Sequence, residues 1–181
     1  MALRTIRLLG DEILTKKCRE VKVLSPRIQQ LIEDMLETMY DANGVGLAAP
    51  QVGVLRRIVV IDIGDGPLIM INPVILETEG EQTSDEGCLS FPGKAGQVTR
   101  PNYVKARYFD ENMEEYEIEA EELLARAICH ELDHLDGHMY VEKVEGEIHE
   151  MTYAEPEPGE DDEETGQGED DAETEQGAET E

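Results

Sequence analysis

Residues 130–134 read HELDH. On a helix, which advances about 100° per residue, His130 and His134 stand one above the other and Glu131 lies just to their side. Two neutral imidazoles from neighbouring turns can bind one divalent cation, with the adjacent glutamate beside a water that the cation activates. Glu131 is then a candidate general base. Three fixed positions also arise by chance on a solvated helix face, so a third ligand must be sought. The longer pattern HExxHxxGxxH is matched through Gly137 but ends on Tyr140, a poor ligand, and His138 and His149 lie beyond that glycine. Cys88 is the better choice. It stands in DEGCLSFPG, residues 85–93, where Gly87 permits close backbone approach and Pro92-Gly93 is expected to turn the chain. One thiolate, two imidazoles and an open position make a four-coordinate catalytic site. Cys129, about 100° round the helix from His130, and Cys18, between Lys16-Lys17 and Arg19, are read as structural thiols.

The elements that must position these residues follow from periodicity. SPRIQQLIEDMLETMYDANG, from Ser25, reads as an amphipathic helix capped by Ser25 with Pro26 at its first position and Asn43-Gly44 at its end. Its methionines are core filler. A second helix is expected over 121–136, closed by Gly137. With His130 at 0°, Leu124, Ile128, Leu132 and Leu135 fall between about 120° and 200°, a core stripe, while Leu123, Ala127 and His134 fall within about 60° of His130. The histidine face is therefore partly apolar, as a substrate pocket would be. Runs at 57–63, 68–76 and 104–109 are β-branched and bounded by turn residues such as Gly64-Asp65-Gly66 and Asn72-Pro73. No strand–helix alternation appears. The expectation is an α+β fold of small, mainly antiparallel or mixed sheets packed around a central HExxH helix. GVGLAAPQVG, residues 44–53, follows a helix instead of a strand, so its glycines serve a close backbone approach and not a phosphate loop.

The chain has 181 residues and a formal charge of −28, half of it between Glu155 and Glu181, where 14 acidic residues meet no Lys or Arg. That stretch has no aromatic residue and no aliphatic larger than alanine, so it is read as a disordered acidic tail, 151–181, behind one domain, 1–150. An acidic body argues against direct nucleic-acid binding, which needs clustered Lys and Arg. No apolar run approaches the roughly 20 residues that span a bilayer, and the N-terminus lacks the core of a secretion signal. A cytoplasmic location is expected. Three cysteines without disulfide-like spacing agree with it.

GVGLAAPQ at 44–51, EGCLS at 86–90 and HELDH at 130–134, in that order, closely resemble the motifs of the peptide deformylases. The resemblance covers about residues 1 to 150. It implies that Cys88, His130 and His134 bind a divalent metal, Fe(2+) in the cell, with Zn(2+), Ni(2+) or Co(2+) able to replace it. By the same resemblance Glu131 accepts and returns a proton, and Gln51 and the Leu89 N–H donate to the oxyanion. Val45 and Gly46 would offer backbone groups to the substrate peptide, with Glu86 and Gly87 on the other wall. Leu123, Ala127 and the aliphatic stem of Arg126 would wall a pocket for methionine. The implied substrate is the N-formylmethionyl end of nascent polypeptides, hydrolysed to formate and a free amine. Contact with the ribosome would be transient, because an acidic tail stands where some members carry a basic C-terminal helix. The rival readings are an HExxH endopeptidase and a noncatalytic binding protein.

Overall fold

A computed structural model describes residues 2–151. The expected acidic tail lies outside the described residues, apart from Met151. Helix α1 spans Pro26–Asp41 and begins where the sequence predicts: Ser25 Oγ accepts the Ile28 N–H, and Pro26 fills a first-turn position that has no use for a donor. Helix α2 spans Glu122–Leu135, within a residue of expectation at each end. Gly137, just past it, has φ +84, and a Cβ there would run into the Thr15 carbonyl.

Eight strands follow in chain order: β1 Gly46–Ala48, β2 Ile58–Ile61, β3 Leu68–Glu79, β4 Gln82–Cys88, β5 Phe91–Arg100, β6 Tyr103–Phe109, β7 Glu115–Glu121 and β8 His149–Glu150. They form a five-stranded sheet in the order β1-β2-β3-β6-β7 and a three-stranded sheet in the order β4-β5-β8. Every pairing between these strands is antiparallel. The α+β class holds, and "mixed" narrows to antiparallel; a single parallel bridge, Arg19 with Arg56, lies outside the strands.

The sequence IVVI of β2 shows no alternation because both faces of the larger sheet are covered. Val59 and Ile61 pack with Ile128, Leu132 and Leu135 of α2. Ile58 and Val60 pack with Leu31, Ile32, Met35 and Met39 of α1, so the methionines are core. The far side of α2 meets the β4–β5 hairpin, where Arg126 donates to the Val98 carbonyl. Ten of the fourteen residues of α2 are consequently buried, which makes it the central element.

Two turn expectations fail. Asn72-Pro73 lies inside β3 at a bulge between Ile71 and Val74, where Asn72 (φ +51) closes its carboxamide on both the N–H and the C=O of Val21, each at 2.8 Å. Pro92-Gly93 lies inside β5, and the chain turns at Leu89-Ser90 instead. Cys88 is therefore the last residue of a strand, not part of a loop.

Candidate metal centre

Cys88 ends β4 and opens a two-residue turn, while His130 and His134 project from successive turns of α2 across the hairpin–helix interface. One ligand atom from each of the three lies within 4.8 Å of the others. Cys88 Sγ and His134 Nε2 are 3.3 Å apart, and the two rings meet edge to face at a centroid distance of 5.0 Å. Bonds of about 2.0 to 2.3 Å in a tetrahedron hold ligand atoms roughly 3.3 to 3.8 Å apart. A thiolate and two imidazoles at this separation fit one divalent first-row ion. Beside them Glu131 is buried, with Oε2 lacking a hydrogen-bond partner among the described residues. A carboxylate in such a position requires a proton or a cation nearby. Its carboxyl group rests against the Cα of Gly46, where any Cβ would overlap it.

Beneath the ligands lies a chain of ion pairs. His130 Nδ1 meets Glu86 Oε2 at 2.9 Å, which aims Nε2 at the site. Glu86 in turn accepts a two-pronged bond from Arg100 (2.8 and 2.9 Å) and another from Arg126 (2.8 Å). Arg100 reaches on to Asp133 at 2.6 Å, and Lys143 pairs with Asp133 at the surface. Burial opposes the charge on Glu86, but Arg100 and His130 hold its carboxyl far below the usual carboxylate range. Burial also opposes charge on His130, yet its contacts with Cys88 and Glu86 push it up to about 10. For His134, burial and the positive charges of His130 and Arg100 lower the pKa, keeping the ring in the neutral form that ligates. Burial pushes Glu131 up to about 7, with His130 opposing. Burial raises the thiols of Cys18 and Cys129 to about 11, as expected of inert core cysteines.

Gln51, in the 3₁₀ turn Ala49–Val52, is buried with its carboxamide orientation set: Oε1 accepts the Ala48 N–H at 2.8 Å, and Nε2 donates to Ser90 Oγ at 3.1 Å while lying 3.5 Å from Cys88 Sγ. The N–H side therefore faces the site. Leu89 follows Cys88 directly, and its side chain packs against Gly44, where a Cβ would fall 2.6 Å from Leu89 Cδ1. Val45 is half exposed and its carbonyl accepts the Asp62 N–H, leading into β1, an outermost strand of its sheet. Glu86 and Gly87 lie on β4, an outermost strand of the other.

Two expected wall residues have their charged ends engaged beneath the site. Arg126 is buried and delivers its guanidinium to Glu86 and to the carbonyls of Val98 and Gln82, so its charged end props the ion-pair chain. Glu86 sends its carboxylate under His130. Ala127 is buried and Leu123 is half exposed on the same helical face as His130. Ser90, which anchors Gln51, is passed over by the sequence reading, and a serine two places after the thiol was the available signal. Arg100, which the sequence offers as a basic partner for Asp133, does pair with it at 2.6 Å. Tyr140 is stacked 6.0 Å from His130 with its hydroxyl donating to the Lys94 carbonyl, so it supplies no ligand. His138 pairs with Glu142 and His149 with Asp85, both on the surface.

A helix carrying HExxH, set between two antiparallel sheets with a cysteine from the hairpin as third donor, defines a metal-dependent hydrolase. The family profile described as polypeptide deformylase matches residues 3–149. A peptide deformylase of Agathobacter rectalis is 74% identical over 153 residues, 84% of this chain and 97% of the relative. One from Lachnoclostridium phytofermentans is 61% identical over 88% of this chain and all of its own length. The crystal structure of the Thermotoga maritima peptide deformylase superposes with a TM-score of 0.79 at 39% identity, covering 81% of this chain and the whole of that one. The chain belongs to the peptide deformylase family. It is an enzyme of that kind, removing the formyl group from N-formylmethionine of nascent polypeptides in a metal-dependent reaction. The endopeptidase and noncatalytic readings are thereby set aside.

Proposed function

We propose that Cys88, His130 and His134 hold the metal, that Glu131 carries the proton, and that Gln51 and the Leu89 N–H receive the developing charge. The observation that carries this reading is the convergence of the three donors within 4.8 Å beside a buried carboxylate oxygen without a partner. A formamide is a weak electrophile; the ion, when bound, lowers the pKa of water and polarises the formyl carbonyl. Glu131 takes the proton as water adds to the formyl carbon, and returns it to the amine as the C–N bond breaks to give formate. Gln51, its Oε1 held by the Ala48 N–H and its Nε2 by Ser90 Oγ, is a fixed donor for the oxygen on which negative charge grows. Each such donor is worth roughly 10² to 10³ in rate.

The substrate's main chain runs between the outer edges of β1 and β4, meeting Val45 and Gly46 on one side and Glu86 and Gly87 on the other. Leu123, Ala127 and the aliphatic stem of Arg126 shape the methionine pocket, with the Arg126 guanidinium tied to Glu86. Ferrous iron is the resident ion in the cell, and zinc, nickel or cobalt can replace it, since a thiolate with two imidazoles suits all of them. The enzyme works in the cytoplasm, where nascent chains emerge, and touches the ribosome transiently. Three free cysteines agree with a reducing location. Protein purified without oxygen should release formate from formyl-Met-Ala-Ser and leave acetyl-Met-Ala-Ser essentially intact. Equal turnover of both peptides would refute the assignment of the site.

A further inference from the structure

The chain has 15 Lys and Arg against 43 Asp and Glu. Ten of the cations pair with carboxylates of the described residues. Among the described residues, Lys16, Arg19, Lys22, Arg27 and Arg56 form no ion pair. Four of these five, all but Lys16, line one groove of about 1160 Å³. Among the described residues Glu20 is the lone acidic one in the lining, and the fifth cation there, Arg4, is paired with Asp34. In a molecule where carboxylates outnumber cations almost three to one, unpaired cations gathered on one concave surface create a local positive potential against the general field. None of the metal-centre residues lines this groove.

The floor is aliphatic, including Val21, Ile28, Leu31 and Leu55. Among the described residues no aromatic lines the groove, so they offer bases nothing to stack on. Ser25, the only neutral hydroxyl among the described lining residues, already caps α1. Strand addition along Arg19 is also closed, because its N–H donates to the Leu55 carbonyl and its carbonyl accepts the Arg57 N–H. Recognition must then come from side chains: anions at the rim and apolar groups on the floor.

We propose that this groove is a docking site for an acidic, aliphatic-rich peptide segment of a partner protein. Its Asp and Glu meet Arg19, Lys22, Arg27 and Arg56, and its aliphatic side chains cover the floor. The chain's own residues 155–181 have the charge but no aliphatic larger than alanine, so they match half of this surface. Arg19, Lys22 and Arg27 are exposed, which lets them be changed without opening the core.

The test uses the full-length, metal-loaded enzyme and a fluorescein-labelled peptide in which Glu pairs alternate with Leu pairs. Fluorescence polarisation should show saturable binding that weakens with salt. Arg19→Glu with Arg27→Glu should lower the affinity by about tenfold or more while leaving formate release unchanged. Replacing Glu by Gln in the peptide should lower it comparably, as should the milder pair Lys22→Gln and Arg56→Gln. Unaltered binding by the charge-reversed enzyme would overturn the proposal. Preference for oligouridylate over the peptide would overturn it in favour of nucleic acid, and binding that appears only after deletion of 155–181 would assign the groove to the chain's own acidic segment.

Discussion

Gly46 is where one added methyl group probes the proton-transfer geometry. A Cβ on Gly46 would lie 2.9 Å from Glu131 Cδ and 3.1 Å from Cγ, with Oε1 closer still, whereas ordinary contacts begin near 3.4 Å. The carboxylate of Glu131 must therefore retreat by roughly half an ångström or more in Gly46→Ala. It has little room to do so. Glu131 is buried on α2 between two residues whose rings converge with Cys88, so the helix backbone cannot follow. Gly46 pairs with Ile61 in an ordinary strand, and alanine is tolerated there by the backbone. Misplacing a reacting group by about 1 Å costs about 10²-fold in rate. Gly46→Ala should accordingly lose about two orders of magnitude in kcat, with metal content unchanged. Formate release from formyl-Met-Ala-Ser, coupled to formate dehydrogenase, gives kcat and KM; plasma emission spectrometry gives the metal. Turnover within about twofold of the parent enzyme would refute the claim that Glu131, held against Gly46, carries the proton.

Glu131→Gln should bind metal as the parent does and lose formate release by about 10² to 10⁴-fold, the usual share of a general acid–base; retention of activity would reassign the proton carrier. Glu86→Gln leaves Arg100 and Arg126 buried without their carboxylate and should destabilise the fold by about 3 to 5 kcal/mol in urea unfolding. Asp34 ties the N-terminal segment to α1: burial opposes its charge, but Gln30, the Ala2 N–H and Arg4 hold its carboxyl below the ordinary value. A depressed folded pKa contributes stability above the unfolded value of about 3.9, lost as pH falls through the folded one. The melting-temperature gap between the parent and Asp34→Asn should thus be full at neutral pH and close below about pH 4; a gap independent of pH would contradict this.

The two helices were legible because a single pattern sets them: Ser25-Pro26 caps α1, Gly137 closes α2, and each presents an apolar stripe to the large sheet. The HELDH spacing and Cys88 were legible because the donor atoms themselves are the signal. The hairpin that carries Cys88 was not. QTSDEGC contains no aliphatic residue, and Pro92-Gly93 has turn chemistry, so only pairing with β5 makes β4 a strand. EYEIEAE of β7 hides in the same way, its inward Ile118 and Ala120 separated by glutamates that face outward beside Lys105. The anchoring of the Arg126 guanidinium was hidden for a related reason. Helical position places its stem on the histidine face, but the pull of Glu86 and two carbonyls decides where the guanidinium goes, and those partners are some 28 to 44 residues away in sequence.

The measurement that bears most directly on the central claim is X-ray absorption at the zinc edge of the zinc-loaded protein. The geometry of Cys88, His130 and His134 predicts one sulfur at about 2.3 Å and two imidazole nitrogens at about 2.0 to 2.1 Å, with the sulfur shell absent from Cys88→Ala. A first shell with no sulfur in the parent protein, or one unchanged in Cys88→Ala, would contradict it.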